Sequence, residues 1–255
     1  MAIDSTSKNA QAIDNRVPLK GVKKIILVAS GKGGVGKSTT AVGITMALAN
    51  KGYKVGIADA DIYGPSIPTM LGVNEMPEHN NGRIKPIIAH GVKCSSIGFL
   101  VDAVKAAMWR GPMATKALHQ IIRGVDWGEL DYLIVDLPPG TGDIQISLVQ
   151  NYFVDGAVIV STPQDIALAD AKRAVQMFNQ VGINIIGLVE NMAYYEDSTG
   201  TKNYIFGQGG AVKYAKAQDI NVLGQIPLIQ NVRESLDKGN ADEIYQYYKD
   251  VVKGL

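Results

Sequence analysis

Cysteine is almost absent from this chain of 255 residues, in which Cys94 is the one thiol. A single cysteine excludes a disulfide within the chain, and it excludes a metal site built from several cysteines of one copy. We interpret Cys94 as a small buried hydrophobic residue, because free cysteine is commonly buried. The lack of a disulfide framework is typical of a protein in a reducing cytoplasm.

The chain also lacks an excess of charge of either sign, since 25 basic residues face 24 acidic ones. This balance gives no support for nucleic acid or an anionic membrane as a partner. No hydrophobic run approaches the roughly 18 residues of a transmembrane helix, and residues 1–20 lack the apolar centre of a signal peptide. We therefore expect a cytoplasmic protein, with a flexible tail over residues 1–20 and one domain over residues 21–255.

Short runs rich in valine and isoleucine recur along the chain. They are "KIILVAS" (24–30), "KVGIADA" (54–60), "YLIVDLP" (132–138), "GAVIVST" (156–162), "NIIGLVE" (184–190) and "NVLGQIP" (221–227). Their near-continuous hydrophobicity predicts parallel strands that are covered on both faces. Helical spacing lies between them: residues 38–51 place Ala41, Ile44 and Leu48 on one face, and Gly52 follows as a C-cap. The alternation predicts an α/β fold, a doubly wound and mostly parallel sheet flanked by helices.

Three segments depart from this alternation. Residues 62–90 combine prolines with "NNG", which predicts an excursion from the sheet that contains a hairpin. Residues 193–210 contain "EDSTGTKN", which is typical of an exposed turn. Near the C-terminus, Ile244, Tyr248 and Val251 share one helical stripe, which we interpret as core packing.

The segment "GKGGVGKS" matches the pattern G-x-x-x-x-G-K-S, with its fixed positions at Gly31, Gly36, Lys37 and Ser38. Glycine allows backbone N–H groups to turn inward around phosphate oxygens. Lys37 is expected to reach the β and γ phosphates, and the Ser38 hydroxyl to ligate Mg²⁺. Because the motif follows a predicted strand and opens a predicted helix, it indicates a site for a nucleoside triphosphate and Mg²⁺.

Acidic residues close two of the predicted strands. Asp136 in "YLIVDLPPGTGD" is suited to hold the metal, and the "PPGTGD" that follows is typical of a loop that responds to the γ phosphate. Asp59 and Asp61 end another strand, and alternate strand residues point to the same side. One of this pair would position the attacking water while the other supports the metal; a solvated pair at the strand end is the alternative.

A second lysine, Lys32, precedes Lys37 in the same loop. A loop that wraps around a triphosphate points its successive residues in different directions, so the two lysines are not expected to share a role. In a face-to-face dimer, Lys32 would reach the nucleotide of the opposite copy, as an arginine finger does. The spacing fits a solvated surface lysine equally well.

The stretch "GKGGVGKST" resembles the deviant Walker A motif of the MinD, ParA and nitrogenase-iron-protein class of P-loop ATPases, in which ATP bridges a homodimer and the early lysine is the signature residue. Further stretches over roughly residues 20–250 resemble the Mrp/ApbC family of iron–sulfur cluster carriers with ATPase activity. Among them are "ADADIYGPSIPTMLGV", "MWRGPMATKALHQ", "DYLIVDLPPGTGDIQISL", "VIVSTPQDIALADAKRAV" and "YIFGQGGA".

This resemblance implies roles for the matching residues. Lys32 would act in trans on the partner's nucleotide, and Asp61 would orient the attacking water. Asp136 would hold the metal with Ser38, and Asp59 is left to support it. ATP and Mg²⁺ would be bound by Gly31, Lys32, Gly33, Gly34, Val35, Gly36, Lys37, Ser38 and Thr39.

Two further segments carry weaker assignments. Asn191 in "ENM" is similar to the family's base-contacting asparagine, and a turn asparagine is the alternative. Trp109, Arg110 and Met113 resemble a segment that contacts the second switch or the partner chain, with helix packing as the alternative. The three histidines do not fall at metal-ligand spacing, and we interpret them as surface or structural residues: His79, His90 and His119.

The chain departs from the family pattern just before "IFG", where members commonly carry Cys-x-x-Cys and two copies hold one cluster with four thiolates. Counting back from Ile205 places Glu196 and Thr199 at those positions. Oxygen ligands match an iron–sulfur centre poorly, and Cys94 gives a dimer two thiolates at most. The sequence therefore argues against a cluster bridged by this route.

We predict a homodimeric, Mg²⁺-dependent ATPase that acts in iron–sulfur cluster assembly or delivery to client proteins, with neither nucleic acid nor membrane as a partner. A positioning switch similar to MinD or ParA is one alternative, but the C-terminal "ADEIYQYYKDVVKGL" is not a basic amphipathic helix. A cluster-free regulatory ATPase is the other alternative.

Overall fold

The computed structural model describes residues 16–100 and 112–255. The helices within these ranges are α1 (Lys37–Asn50), α2 (Ile67–Met70), α3 (Pro112–Ile122), α4 (Asp143–Asn151), α5 (Asp165–Gln180), α6 (Gly210–Ala217), α7 (Gln230–Asp237) and α8 (Tyr245–Tyr248). The strands are β1 (Val22–Ala29), β2 (Val55–Asp59), β3 (His79–Asn80), β4 (Arg83–Ile84), β5 (Ile87–Ala89), β6 (Val92–Ser96), β7 (Leu130–Asp136), β8 (Gly156–Ser161), β9 (Ile185–Asn191), β10 (Tyr195–Glu196), β11 (Lys202–Asn203) and β12 (Val222–Ile226). None of the helices described is long and apolar enough to cross a lipid bilayer.

One sheet of eight strands organises the described residues, in the order β12-β9-β8-β1-β7-β2-β6-β5. All neighbours from β12 to β6 run parallel, and β5 pairs antiparallel with β6 at one edge. The predicted mostly parallel sheet is therefore confirmed, and each of the six predicted strands is present. Because parallel strands end at one edge, the loops that follow them gather there and form a crevice suited to a ligand.

The sheet also contains a strand that the sequence did not predict. Strand β6 ("VKCSS") pairs with β2 and is almost wholly buried despite its two serines. Two predicted turns are confirmed as short hairpins, β3–β4 within residues 62–90 and β10–β11 within residues 193–210. In the first hairpin, the turn residues Asn81 and Gly82 both have positive φ, which suits the twist of a two-residue connection.

The core lies in two layers, one on each face of the sheet. Along β1, Ile25 and Leu27 pack with helices α3, α4 and α5 on one face. Ile26 and Val28 alternate with them and pack with α1 and the C-terminal helices on the other face. This alternation explains the continuous hydrophobic run of the strand, since both of its faces are covered.

Helix α1 follows the glycine-rich loop and is buried on nearly all sides, not on a single face as the spacing predicted. The reason is that α8 covers the side that would otherwise face solvent: the ring of Tyr248 packs directly against Gly43. Tyr248, Ile244 and Val251 are all buried, which confirms their predicted packing role. Gly52 follows the helix with φ 88°, the left-handed conformation expected of a glycine beyond a helix end.

Packed residues begin before Gly21. Val17 forms a parallel bridge with Tyr152, and its N–H donates to the carbonyl of Asn151 at 2.9 Å. Leu19 belongs to the core layer of α3, α4 and α5. The segment that enters β1 is therefore held by both backbone and side-chain contacts.

Candidate functional site

The loop between β1 and α1 has the backbone of a phosphate-binding loop. Gly34 and Gly36 have φ 81° and 82°, a conformation that residues with a β-carbon rarely adopt. A β-carbon on Gly31 would overlap the backbone of Asp170 in α5, and one on Gly36 would overlap the side-chain amide of Asn191. Glycine is thus required at these positions both for conformation and for close approach.

Lys37 lies among acidic groups at the first turn of α1. Its ammonium donates to Oδ1 of Asp136 at 2.7 Å and to the Ser38 hydroxyl at 3.2 Å, and it lies 3.7 Å from Oδ2 of Asp61. Lys37 is 6% exposed and Asp136 is fully buried. The fold thus brings these four residues together, although they come from three separate parts of the chain: the start of α1, the end of β7 and the loop after β2.

Negative charge is in excess at this point, and the pKa values of the carboxyls reflect it. Burial raises the pKa of Asp136, against the opposing effect of the Lys37 ammonium. Burial and the neighbouring Asp136 raise the pKa of Asp59 to about 8, and burial also raises the pKa of Asp61. A divalent cation would relieve this repulsion, and carboxylate and hydroxyl oxygens are the ligands that Mg²⁺ prefers.

A second observation also fits Mg²⁺. Oδ2 of Asp136 is buried and has no hydrogen-bond partner among residues 16–100 and 112–255. Buried polar atoms are nearly always satisfied in proteins. An oxygen with a free lone pair beside the Ser38 hydroxyl is what a metal-bound water or a metal requires, so these residues fit the ion.

Asp59 differs from the other two carboxyls because protein donors surround it. Its Oδ2 accepts from the N–H of Ile67 and from the Ser96 hydroxyl, both at 3.1 Å, and its Oδ1 accepts from the N–H of Asp61 at 3.2 Å. It is opposite Asp136 in the pairing of β2 with β7. Asp59 therefore fixes the loop from Asp61 to α2, and both of its oxygens already accept hydrogen bonds from protein donors.

A cleft of about 200 Å³, which we call the phosphate cleft, opens over the glycine-rich loop. Its lining residues are Ser30, Lys32, Gly33, Gly34, Gly36, Lys37, Ser38, Thr39, Asp61, Ser66, Met70 and Pro139. The side chain of Lys32 is partly exposed and forms no ion pair with any residue that the structure describes. Lys32 thus lies at the rim of the cleft, and no carboxylate of the described residues holds it. This position is compatible with the predicted role in trans.

The loop after β7, "LPPGTGD", is held close to the glycine-rich loop. The N–H of Gly140 donates to the carbonyl of Ser30 at 2.9 Å. The buried Gln145 side chain donates to the carbonyls of Pro138 at 2.8 Å and of Gly140 at 3.1 Å. Gln145 was not predicted from the sequence, although a carboxamide in the first turn of a helix that follows a proline–glycine loop could have indicated it.

Asn191 contacts the phosphate-binding loop directly. Its side-chain amide donates to the carbonyl of Val35 at 2.9 Å, and the residue is 5% exposed. It also lines a second cleft of about 210 Å³, which we call the side cleft, together with Pro227, Leu228 and Tyr247. The two clefts share Thr39 and Met70 as lining residues, so they are adjacent.

The positions where the family resemblance places cysteines belong to the β10–β11 hairpin. At its tip, Oδ1 of Asp197 accepts from the N–H and hydroxyl of Thr199 at 2.9 and 2.6 Å and from the N–H of Thr201 at 3.1 Å. Oδ2 accepts from Asn203 at 3.1 Å. These hydrogen bonds lower the pKa of Asp197 to about 2. The tip is therefore closed by a polar network, with Glu196 exposed beside it.

Cys94 does not compensate for this difference. It is 1% exposed, its thiol donates to the carbonyl of Ile87 at 3.3 Å, and burial raises its pKa to about 12. A buried thiol of such high pKa is neither a nucleophile nor a ligand for iron. The residues present thus do not fit a cluster held by thiolates of this chain.

The remaining residues singled out from the sequence do not line the phosphate cleft where the structure describes them. His90 contacts Asp242 and the carbonyl of Gly239, and His119 contacts the Tyr152 hydroxyl at 2.6 Å. His79 is exposed on β3. Met113 is exposed at the start of α3. Trp109 and Arg110 lie outside the described residues.

Comparison with known proteins supports the assignment of the loop. Residues 21–254 match the family described as ParA, NUBPL iron-transfer P-loop NTPase. An iron–sulfur cluster carrier protein of Escherichia coli is 54% identical over 230 residues, which cover 89% of this chain and 62% of that protein. The iron–sulfur cluster transfer protein NUBPL of Mus musculus is 47% identical over 234 residues, with 90% and 73% covered. The chain therefore spans less than two thirds of the length of the bacterial carrier.

Solved structures agree with the fold. A nucleotide-binding protein of Archaeoglobus fulgidus, solved with ADP, is 38% identical, and the match has a TM-score of 0.79 over 88% of this chain and 90% of that one. The cell division ATPase MinD of Pyrococcus furiosus has a TM-score of 0.69 at 19% identity, over 91% and 97% of the two chains, which shows a shared fold alone. With its two-lysine loop and the clustered aspartates, this chain belongs to the NUBPL iron-transfer P-loop NTPases, the group that the sequence resembles under the name Mrp/ApbC.

Proposed function

We propose that this chain is a Mg²⁺-dependent ATPase that works as a homodimer in the delivery of iron–sulfur clusters. The observation that carries the proposal is the position of Lys37, whose ammonium lies between Asp136 and Asp61 at the mouth of a glycine-rich loop. This geometry supports phosphoryl chemistry, because catalysis of that reaction depends mainly on positioning and on charge stabilisation. The cluster-carrier relatives support the biological setting.

In the proposed binding mode, the backbone N–H groups of residues 31–37 surround the phosphates, and the N-terminus of α1 adds a favourable dipole. The Lys37 ammonium exchanges its contact with Asp136 for the phosphate oxygens. The Ser38 hydroxyl and the unpaired oxygen of Asp136 would hold Mg²⁺. When bound, Mg²⁺ would neutralise the negative charge that develops on the phosphates.

For hydrolysis, we assign the orientation of the attacking water to Asp61. Its carboxylate lines the phosphate cleft and lies 3.7 Å from the Lys37 ammonium. Asp59 positions Asp61 through the N–H of that residue and holds α2 through Ile67. Lys32, at the rim of the same cleft, would stabilise the transferred phosphoryl group of the opposite copy. Dimerisation is then required for turnover but not for nucleotide binding.

We place the adenine base in the side cleft, next to Asn191. This cleft adjoins the phosphate cleft at Thr39 and is lined by Pro227 and Leu228, which provide apolar surface for a ring. Asn191 already donates to Val35, so its amide would connect the base to the loop that holds the phosphates.

The iron–sulfur cluster enters this proposal as cargo that another protein holds. Cys94 is buried, and Glu196 and Thr199 offer oxygen atoms at an exposed hairpin. The nucleotide cycle would therefore act on a client or donor protein that supplies the thiolates. This distinguishes the chain from relatives that are named as cluster carriers.

The experiment is a cluster-transfer assay with purified protein under anaerobic conditions. A donor protein loaded with a [4Fe–4S] cluster and an apo-enzyme that needs the cluster are mixed with the chain, with or without MgATP. We expect the wild-type chain to transfer the cluster faster when MgATP is present. With Lys37→Ala, MgATP should leave the rate of transfer unchanged. Failure of the wild-type chain to hydrolyse ATP, or to dimerise with a non-hydrolysable analogue, would refute the proposal.

A further inference from the structure

A groove separate from the nucleotide site runs between α5 and α6. We call it the helix groove; its volume is about 790 Å³, and its floor includes Leu168 and Val175. Lining residues on α5 extend from Asp165 to Asn179. At 1.5 Å per helical residue this length is about 21 Å, which suits about six residues of an extended peptide at 3.3 Å each.

The walls of the groove carry an unusual share of carboxamide side chains. Each carboxamide offers both a donor and an acceptor, which is the pattern that a peptide backbone requires from a binding surface. They are Gln164, Gln176, Asn179, Gln208 and Gln218. Apolar floor and polar walls together are typical of a recognition site.

The charge of the groove is positive. Lys172 and Lys213 line it, and neither forms an ion pair with a carboxylate in the described ranges. Lys172 is held over the ring of Tyr214, with its ammonium 5.5 Å from the ring centre. Asp165 is the one acidic residue among the lining residues that the structure describes. An occupant that carries carboxylates would therefore be favoured.

Both walls are connected to the phosphate-binding loop. On one side, the backbone of α5 at Asp170 packs so closely on Gly31 that no β-carbon fits between them. On the other side, the buried Glu190 carboxylate accepts from the N–H groups of Ala211 and Val212 at the start of α6, at 2.8 and 3.3 Å. The next residue in the chain, Asn191, holds the loop through Val35.

We propose that the helix groove binds an extended, acidic peptide segment of a partner protein, and that its occupancy changes nucleotide handling at the phosphate-binding loop. The lysines contact the carboxylates of the peptide, the carboxamides contact its backbone, and Leu168 and Val175 receive its apolar side chains. The binding does not depend on the proposed ATPase function, whereas the coupling rests on it.

The test uses the full chain and two fluorescein-labelled hexapeptides, one of alternating glutamate and alanine and one of alternating lysine and alanine. Fluorescence anisotropy is measured first without nucleotide. We expect saturable binding of the acidic peptide alone. Lys172→Glu combined with Lys213→Glu should weaken it at least about tenfold, and the milder Lys172→Gln/Lys213→Gln pair should weaken it less. Lys51→Glu combined with Lys216→Glu is the control with the same change of charge, because both lysines are exposed and neither lines the groove.

Equal affinity for the two peptides, or equal losses in the groove variant and in the Lys51→Glu/Lys216→Glu control, would overturn the assignment. Equal binding of a labelled oligothymidylate would show that the groove attracts any negatively charged polymer, and this result would also overturn the assignment. The coupling between the groove and the phosphate-binding loop is tested by measuring ATP turnover with and without the acidic peptide. An unchanged rate would refute the coupling. A chain that binds the peptide but never hydrolyses ATP refutes the proposed function and leaves the groove assignment standing.

Discussion

The ammonium of Lys37 and the carboxylate of Asp136 are in contact at 2.7 Å although 99 positions separate them in the chain. The contact joins the end of β7 to the first turn of α1, and both groups are buried. Each charge therefore depends on the other, and any ligand that takes the ammonium must leave the carboxylate with a different cation. This exchange explains why nucleotide and Mg²⁺ are expected to bind together.

Removal of Lys37 tests this dependence. Lys37→Ala is expected to abolish nucleotide binding and to lower the free energy of unfolding by about 3 kcal/mol, because it strands a buried carboxylate. The double variant Lys37→Met/Asp136→Asn should recover much of that stability without recovering binding. Urea unfolding and titration with a fluorescent nucleotide measure the two effects. Equal stability of wild type and Lys37→Ala would show that the pair is not buried as described.

Lys32 is expected to separate binding from turnover. Lys32→Ala should retain ATP affinity within a few-fold, because the residue is at the rim of the cleft, but should lose about 10³-fold or more in hydrolysis, as known trans-acting fingers do. Mixing it with a Lys37→Ala chain gives heterodimers in which the Lys32→Ala copy holds the nucleotide and receives an intact Lys32. Recovery of activity in the mixture is the expected result, and full turnover by Lys32→Ala alone contradicts the trans role.

The hairpin predicts how the chain behaves with iron. After anaerobic incubation with iron and sulfide, wild type and Cys94→Ser should both remain colourless, because Cys94 is inaccessible. Glu196→Cys/Thr199→Cys introduces a pair of thiolates on the exposed hairpin. This variant should bind iron and should absorb visible light. Absorption spectra and iron counts measure this. Stoichiometric iron in wild type that survives Cys94→Ser would mean that other ligands hold a cluster.

His119 predicts the pH dependence of stability. Its pKa is lowered, first by burial and then by the nearby Arg123. The unfolded chain therefore binds a proton more readily, so this contribution to stability is present above the ordinary histidine pKa of about 6.5 and is lost as pH falls below it. His119→Gln should flatten the decline in melting temperature between about pH 7 and 5. His79→Gln, at an exposed position, is the control, and an identical profile for both variants would exclude His119 as the cause.

Replacement of Gly43 by alanine is expected to destabilise the protein, although alanine has the higher helix propensity. Alanine normally favours an exposed helix interior by about 1 kcal/mol over glycine, but a β-carbon at Gly43 overlaps the ring of Tyr248. We expect Gly43→Ala to lose about 1–3 kcal/mol through overpacking. Adding Tyr248→Leu should make the alanine tolerable, which a double-mutant cycle in urea detects. Additive effects of the two changes would show that the residues do not touch.

Much of the fold followed from local pattern, because buried parallel strands have a distinctive composition. Strand β6 was not predicted because its serines interrupt the hydrophobic pattern that indicates a buried strand. In the structure Ser96 is buried and its hydroxyl donates to Asp59. The expectation that Asp59 and Asp61 share one side held only in part, because β2 ends at Asp59 and strand alternation stops there.

The long-range partners of the site residues were beyond the reach of the sequence. Asn191 donates to Val35, which is 156 positions away, and no local pattern predicts such a contact. Gln145 was missed for a related reason: its role depends on the path of the loop before it. Sequence motifs thus predict which residues act on phosphate, and the fold shows which residues support them.

The Asp197 network at the tip of the β10–β11 hairpin has a consequence for the conditions under which the chain works. Hydrogen bonds alone close that turn, so chelators, oxygen and iron starvation have nothing there to strip or oxidise. A hairpin organised by a metal centre would lose its shape under the same stress. The shape of this hairpin is therefore expected to be independent of the supply of iron.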